Sequence, residues 1–327
     1  MTVTVLLLLL AAAAIYFCCE GFTNGVEWLG LRLRLGQTAT GTLLAALGTA
    51  LPEGVVTLVA TAFASHPSQQ QIGIGAALGG PLALSTVAYA VVGITLALLG
   101  RSPHLDSEEQ KRLVRDQWAF LCLFAVKIGL GLVGFAGKDW CGWGFIAAYA
   151  LYVRGEMRQA PADHDGDALE PLKIRPHDPQ PAMGWILLQC LTTAAVIFAA
   201  SRLFVGQLDE LAPLLGLSPQ VAALFLSPIA TELPETLNAL IWVRQGKDRL
   251  ALANISGAMM IQATIPTAFG LFFTPWRLDL PLVLAGGATA AAILYLTQLF
   301  RRSTVRPLLL AQAGWPLLAL LAALMIG

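Results

Sequence analysis

Charged side chains are scarce in this chain: 12% of its 327 residues are Asp, Glu, Lys or Arg, while 57% are hydrophobic. Soluble domains carry roughly 25% charged residues, so the composition excludes a soluble globule and indicates a polytopic, all-α membrane protein. Formal net charge is +0 at pH 7, with no basic excess to attract nucleic acid as a partner. The four histidines, His66, His104, His164 and His177, fall in polar loops, and no HExxH pattern occurs, which removes the usual basis for zinc chemistry. Cys18, Cys19, Cys122, Cys141 and Cys190 lack metal or redox spacing and sit in or beside apolar runs, as small buried hydrophobes do. No nucleophile–base set stands out on facing segments, so neither an enzyme nor a resident cofactor is expected.

Long apolar runs are abundant instead. Crossing the hydrocarbon core takes about 20 apolar residues, and on that measure ten spans are expected, at about 3–22, 38–65, 72–99, 116–136, 140–154, 183–205, 219–243, 250–273, 280–299 and 307–326. The first has no basic n-region and no small-residue cleavage site before Glu20, and is read as a helix of the mature protein rather than a signal peptide. Basic residues cluster in alternate loops. Arg32, Arg34, Arg101, Lys111, Arg112, Arg115, Arg154, Arg158, Lys173, Arg175, Arg244, Lys247, Arg249, Arg301, Arg302 and Arg306 share one side, and only Lys138, Arg202 and Arg277 lie on the other. By the positive-inside rule the first set is cytoplasmic and both termini face out, in a cell inner (plasma) membrane.

The longest polar stretch, Arg154 to Ala182, has no apolar period and reads as a flexible cytoplasmic linker. It divides the chain into a first five-span half (1–154), the linker (155–182) and a second five-span half (183–327). Its run His164-Asp165-Gly166-Asp167 lacks the full liganding pattern of a calcium loop. An odd number of spans per half inverts the second half relative to the first, the plan of secondary transporters with a midplane site.

The halves also repeat a motif. Gly48-Thr49-Ala50-Leu51-Pro52-Glu53 and Ala230-Thr231-Glu232-Leu233-Pro234-Glu235 each set a threonine, a proline and a glutamate within an apolar run. Carboxylates at membrane depth are costly and therefore functional by default. Proline removes a backbone hydrogen bond, so Pro52 and Pro234 should expose carbonyls near Ala46 and Pro228, with Thr49 and Thr231 adding hydroxyls. An all-oxygen set with two carboxylates suits a hard cation such as Ca²⁺. Small residues in the third and eighth spans (Gly73, Gly75, Gly79, Gly80; Ala253, Gly257, Ala258) allow close helix approach.

These two segments resemble the repeats of the sodium/calcium exchanger family, whose hallmark reads GTSLPE followed by a GN-x-x-GSN-type helix. The matching regions are about 40–99 and 220–273. The resemblance implies an antiporter that exports Ca²⁺ against Na⁺, or against H⁺ in some branches, with Glu53 and Glu235 as shared ligands, Thr49 and Thr231 as hydroxyl ligands and Ala46 and Pro228 as carbonyl donors. Where the family has serine after the threonine, this chain has Ala50 and Glu232. The family's Ser and Asn/Asp positions are Gly80 and Leu84 in the third span, and Ala258 and Gln262 in the eighth; Asn254 keeps an asparagine that Ala76 loses. Sodium-ligating positions are thereby depleted, and Glu232 adds a third carboxylate, which makes H⁺ a rival to Na⁺. The full candidate ligand set is Glu53, Glu235, Thr49, Thr231, Ala46, Pro228, Glu232, Asn254 and Gln262.

Three further features remain open in the sequence. Lys127, within the fourth span, neutralises a site acid, snorkels or pairs with Glu20. Glu20, Asn24 and Glu27, with Asp209 and Glu210 in the second half, fit a vestibule or an interface better than direct ligation. Trp140, Trp143 and Trp185 fit interface anchors in the lipid bilayer. A cation channel and a non-transporting relative are the competing readings of other classes; a channel more often assembles identical subunits around an axis, which an internal duplication makes unnecessary.

Overall fold

The computed structural model describes residues 1–33, 45–103, 105–159, 169–302 and 304–326, and only the backbone of 45–51, 157–159 and 326. Within them every regular element is helical. Each of the ten expected runs coincides with one helix or with a helix interrupted inside the run. They are α1 (Thr2–Arg32), α2 (Ala45–Ala62), α3 (Pro67–Ala83) continuing through a π-helical turn at Leu84–Ala88 into α4 (Tyr89–Leu98), α5 (Ser107–Leu132), α6 (Cys141–Gln159), α7 (Met183–Leu214), α8 (Pro219–Thr231) and α9 (Leu233–Arg244), α10 (Asp248–Phe273), α11 (Leu280–Phe300), and α12 (Pro307–Ala311) leading to α13 (Trp315–Ile326). The start of the second run, 38–44, lies outside the described residues.

Local chemistry sets several of these ends. Asp106 caps α5 in a capping box, accepting from the Glu109 N–H (2.8 Å) while Glu109 accepts from the Asp106 N–H (2.9 Å). Ser218 and Asp279 cap α8 and α11, each followed closely by a proline that fits the first helical turn. Three helices run at least five residues past the ends of the expected spans, α1 to Arg32, α6 to Gln159 and α7 to Leu214. The cause for α1 is visible in Asn24, which is buried against the second half rather than exposed at an interface.

Among the described residues, six helical runs are long and apolar enough to cross a membrane: Thr2–Arg32, Pro67–Leu98, Met183–Leu214, Asp248–Phe273, Leu280–Phe300 and Pro307–Met325. The other four depart for identifiable reasons. The second run is described only from Ala45, α5 carries a charged first half, α6 ends in charged residues, and the seventh run breaks at Glu232.

Packing between the halves is reciprocal. α1 lies along α7, and α5 along α11. α2 packs on α10 while α3 packs on α8, and α6 meets α10 while α12 meets α4. Exchanging first-half helices for their second-half counterparts turns each of these contacts into another that is also present. Glycine makes the α3–α8 crossing tight: a Cβ on Gly75 would sit 3.0 Å from the Ala223 Cβ, and one on Gly79 2.8 Å from the Pro228 Cγ. Among the described residues, buried apolar side chains fill the space in three large clusters and two small ones, one of the large ones joining α1, α2 and α7.

The two ends of the bundle are tied separately. At one end Arg101 pairs with Asp248 (2.9 Å), Arg249 with Glu109, and Arg112 and Arg115 with the buried Glu156. At the other, Ser68 donates to Asp209 (3.0 Å), Lys138 to the Trp276 carbonyl (2.9 Å) and the Gln220 amide to the Arg277 carbonyl (3.2 Å). Loops that the distribution of basic residues assigns to one side thus meet one another.

The expected flexible linker needs correction in its second part. Residues 160–168, including the acidic run, lie outside the described residues, but 169–182 form a strap bound to α1 and α7. Asn24 donates to the Glu170 carbonyl (3.2 Å) and accepts from the Lys173 N–H (3.1 Å); Trp28 donates to the Glu170 carbonyl (2.9 Å). Gln189 accepts from the Ile174 N–H (3.0 Å), and Leu172 is fully buried. These polar bonds come from side chains within α1 and α7, so a linker composition conceals them.

Candidate cation site

The site is built where α2, α3, α8, α9 and α10 meet. Glu53 lies in α2 directly after Pro52, and its side chain is buried at 2% exposure. Neither of its carboxylate oxygens receives a hydrogen bond from an N–H or hydroxyl among the described residues. Gly80 of α3 makes this possible: a Cβ there would fall 2.7 Å from the Glu53 Cδ, so any larger residue would occupy the carboxylate's place. The family's serine position is therefore open space that the Glu53 carboxylate fills.

In the second half the corresponding run divides. Pro234 has no N–H to bond the Ala230 carbonyl, α8 stops at Thr231, α9 starts at Leu233, and Glu232 stands between them. Glu232 is buried at 3% exposure beside Glu235 at 1%, three residues on and on nearly the same face. Glu232 accepts from the Thr231 hydroxyl (2.9 Å) and, at close range, from the Gln262 amide of α10. It faces Glu53 near enough for side-chain hydrogen bonding between the two carboxyl groups. Glu235, in the first turn of α9, acts electrostatically on Glu53 and lies close to the charge of Glu232, and its Oε2 has no donor. Buried carboxylate oxygens without donors are expensive, and a cation is the ligand that relieves the cost.

The candidate residues fare differently. Glu53, Glu232, Glu235, Thr231 and Gln262 come together. Ala46 and Thr49 belong to the first turns of α2, and their side chains lie outside the described residues. The Pro228 carbonyl departs from the expected free state, because the Glu232 N–H bonds it at 2.8 Å, the ordinary bond to the residue four back in a helix. Asn254 lies two turns before Gln262, about 12 Å along α10, and its Nδ2 has no partner among the described residues. Nothing links it to the carboxylates. Among the described residues no three His, Cys, Asp or Glu side chains close into a ready metal cage, so a bound ion would need the carboxylates drawn inward together with hydroxyl or carbonyl oxygens.

Lys127 of α5 resolves the open alternatives. It does not reach Glu20, which pairs with Lys173 (3.3 Å), and it does not snorkel, being fully buried. Its ammonium donates to the carbonyls of Ala77 in α3 (2.6 Å) and Gln262 in α10 (3.3 Å) and lies within electrostatic reach of Glu53. The aromatic faces of Phe124 and Trp276 flank it at 5.6 and 6.0 Å. Counted at formal charge, three carboxylates and one ammonium carry minus two.

The sequence profile described as sodium/calcium exchanger protein matches residues 3–155 and 185–326, which is nearly the whole chain. The chain belongs to the sodium/calcium exchanger protein family. Among relatives of this exchanger, the inner membrane protein YrbG of Escherichia coli strain K12 is 26% identical over 243 residues, covering 73% of this chain and 70% of that protein. Of solved structures, the H⁺/Ca²⁺ exchanger CAX superposes with a TM-score of 0.74 at 16% identity, over 98% of this chain and 82% of that one. The sodium-calcium exchanger NCX_Mj superposes at 0.62 and 18% identity, over 98% of both chains. At such identities the likeness to both structures is one of fold. The family match and the apolar helices place the chain among integral membrane ion exchangers, with calcium transport and antiport as the family's business.

Proposed function

We propose that the protein is a secondary antiporter that moves Ca²⁺ against a monovalent cation by alternating access around Glu53, Glu232 and Glu235. One observation carries the reading: three carboxylates from the two halves converge, buried, and lack enough donors to satisfy their oxygens. A charge of minus two after Lys127 is counted matches a divalent cargo, and the oxygen donors match a hard one. The reciprocal packing of the two halves supports ten spans arranged as inverted five-helix repeats, with the break at Glu232 and the kink before Glu53 near the midplane. The cytoplasmic side is then the end that holds the strap, Arg101 and Arg249, as the positive-inside rule requires, and an inner-membrane location agrees with the name of the E. coli relative.

For the counter-ion, Na⁺ follows from the GT-x-LPE form of the motif. A second reading, H⁺, is favoured by a specific observation: Glu53 and Glu232 face each other directly, and two carboxyl groups in that relation hold a proton between them when no cation separates them. Gly80, Leu84 and Ala258 supply no side-chain oxygen for Na⁺. Reconstituted vesicles loaded with Ca²⁺ decide the matter. Uptake of labelled Ca²⁺ is expected by exchange with internal Ca²⁺ and to be driven by an imposed Na⁺ or H⁺ gradient; the gradient that drives it names the counter-ion. Flux that needs no counter-ion at all would reclassify the protein as a channel.

A further inference from the structure

Pro81 in α3 and Pro266 in α10 occupy inner helical positions. A proline has no N–H for the carbonyl one turn earlier, and those two carbonyls are Ala77 and Gln262. Both point at a single atom, the Lys127 Nζ. The coincidence is informative because the prolines come from different halves, whereas the side chain that serves both carbonyls comes from a third helix. Two proline-freed carbonyls facing each other across a helix crossing, next to a carboxylate, form the oxygen environment of a small monovalent cation.

We propose that Lys127 is a resident cation: its ammonium fills a carbonyl-lined monovalent-cation site between α3 and α10 and gives the neighbouring carboxylate site a fixed positive charge. Full burial, the two carbonyl bonds and the flanking aromatic faces hold the ammonium in place. The consequence for exchange, which rests on the antiport reading above, is that three carboxylates then balance one divalent ion without a mobile monovalent ion alongside it. Removing the ammonium leaves the carbonyls of Ala77 and Gln262 and one uncompensated negative charge, a site open to Na⁺.

The test compares wild type, Lys127→Ala and Lys127→Arg, purified in detergent and melted at equal ionic strength in sodium chloride or in choline chloride. Wild type and Lys127→Arg are expected to differ by the same amount between the two salts, any common shift being that of Na⁺ at the carboxylates. Lys127→Ala is expected to melt lower in choline and to recover saturably with Na⁺, by about 2 °C more than wild type at roughly ten times the dissociation constant. A shift of Lys127→Ala between Na⁺ and choline no larger than that of wild type overturns the proposal. So does failure of both Lys127→Ala and Lys127→Gln to fold in Na⁺, since Na⁺ must be able to replace the ammonium. Exchange of labelled for unlabelled Ca²⁺ by wild-type vesicles tests the antiport reading separately. If that exchange is absent while Na⁺ rescues Lys127→Ala, the transport reading falls and the resident cation stands.

Discussion

Glu53 owes its position to a residue that is missing. The carboxylate fills the space a side chain at Gly80 would need, and the atom displaced by such a side chain is the mobile end of a glutamate rather than backbone. Gly80→Ala is therefore expected to leave the melting temperature nearly unchanged while lowering Ca²⁺ affinity at least about tenfold, the range seen when groups that orient metal ligands are altered. Calorimetric titration of the purified variant checks it, and a large loss of stability with intact affinity would contradict it. The carboxylates at positions 53 and 235 were legible from the repeated Thr-x-Leu-Pro-Glu pattern, because burial of an acid is costly wherever the helix faces. Glu232 was legible too: three residues before Glu235, it shares nearly the same helical face and comes to Glu53 once the two halves pack together. The acceptors of Lys127 follow arithmetically from Pro81 and Pro266, yet which side chain caps them depends on how α5 is rotated against α10, and composition holds no record of that.

Helices reach the site only as closely as their glycines permit. α3 and α8 touch at Gly75 and Gly79, with no room for a Cβ at either position. Gly79→Val is expected to cost about 1–3 kcal/mol by overpacking, measurable as a lowered unfolding midpoint and accompanied by lost transport, since Pro228 and Glu232 shift with α8. The strap over α1 and α7 is a second element with a checkable stability. Asn24 accepts from Lys173 and from Gln189 and donates to Glu170, so Asn24→Ala leaves buried partners unsatisfied. A loss of about 1–3 kcal/mol is expected, localised to the strap and visible as faster proteolysis within 169–182. Unchanged cleavage there would mean the strap is held mainly by Leu172. The positions of the helices were readable from apolar length alone, whereas the strap was hidden because its bonds are made by polar residues inside two apolar helices.

Across the whole molecule, contacts at the two ends obey the alternation that the basic residues prescribe, and the helix pairings are reciprocal between halves. In a cysteine-free background, a cysteine at Asp139 is expected to react with an impermeant reagent added to intact cells, and one at Asp167 only after the membrane is opened; the opposite pattern would invert the assignment of inner and outer gates. The central claim is that one divalent ion bridges the two halves through Glu53 and Glu235. Equilibrium Ca²⁺ binding to the purified protein tests it most directly, comparing wild type with folded Glu53→Gln and Glu235→Gln. The account predicts one high-affinity Ca²⁺ per wild-type chain and none in either variant, whereas a variant that keeps wild-type binding would contradict it.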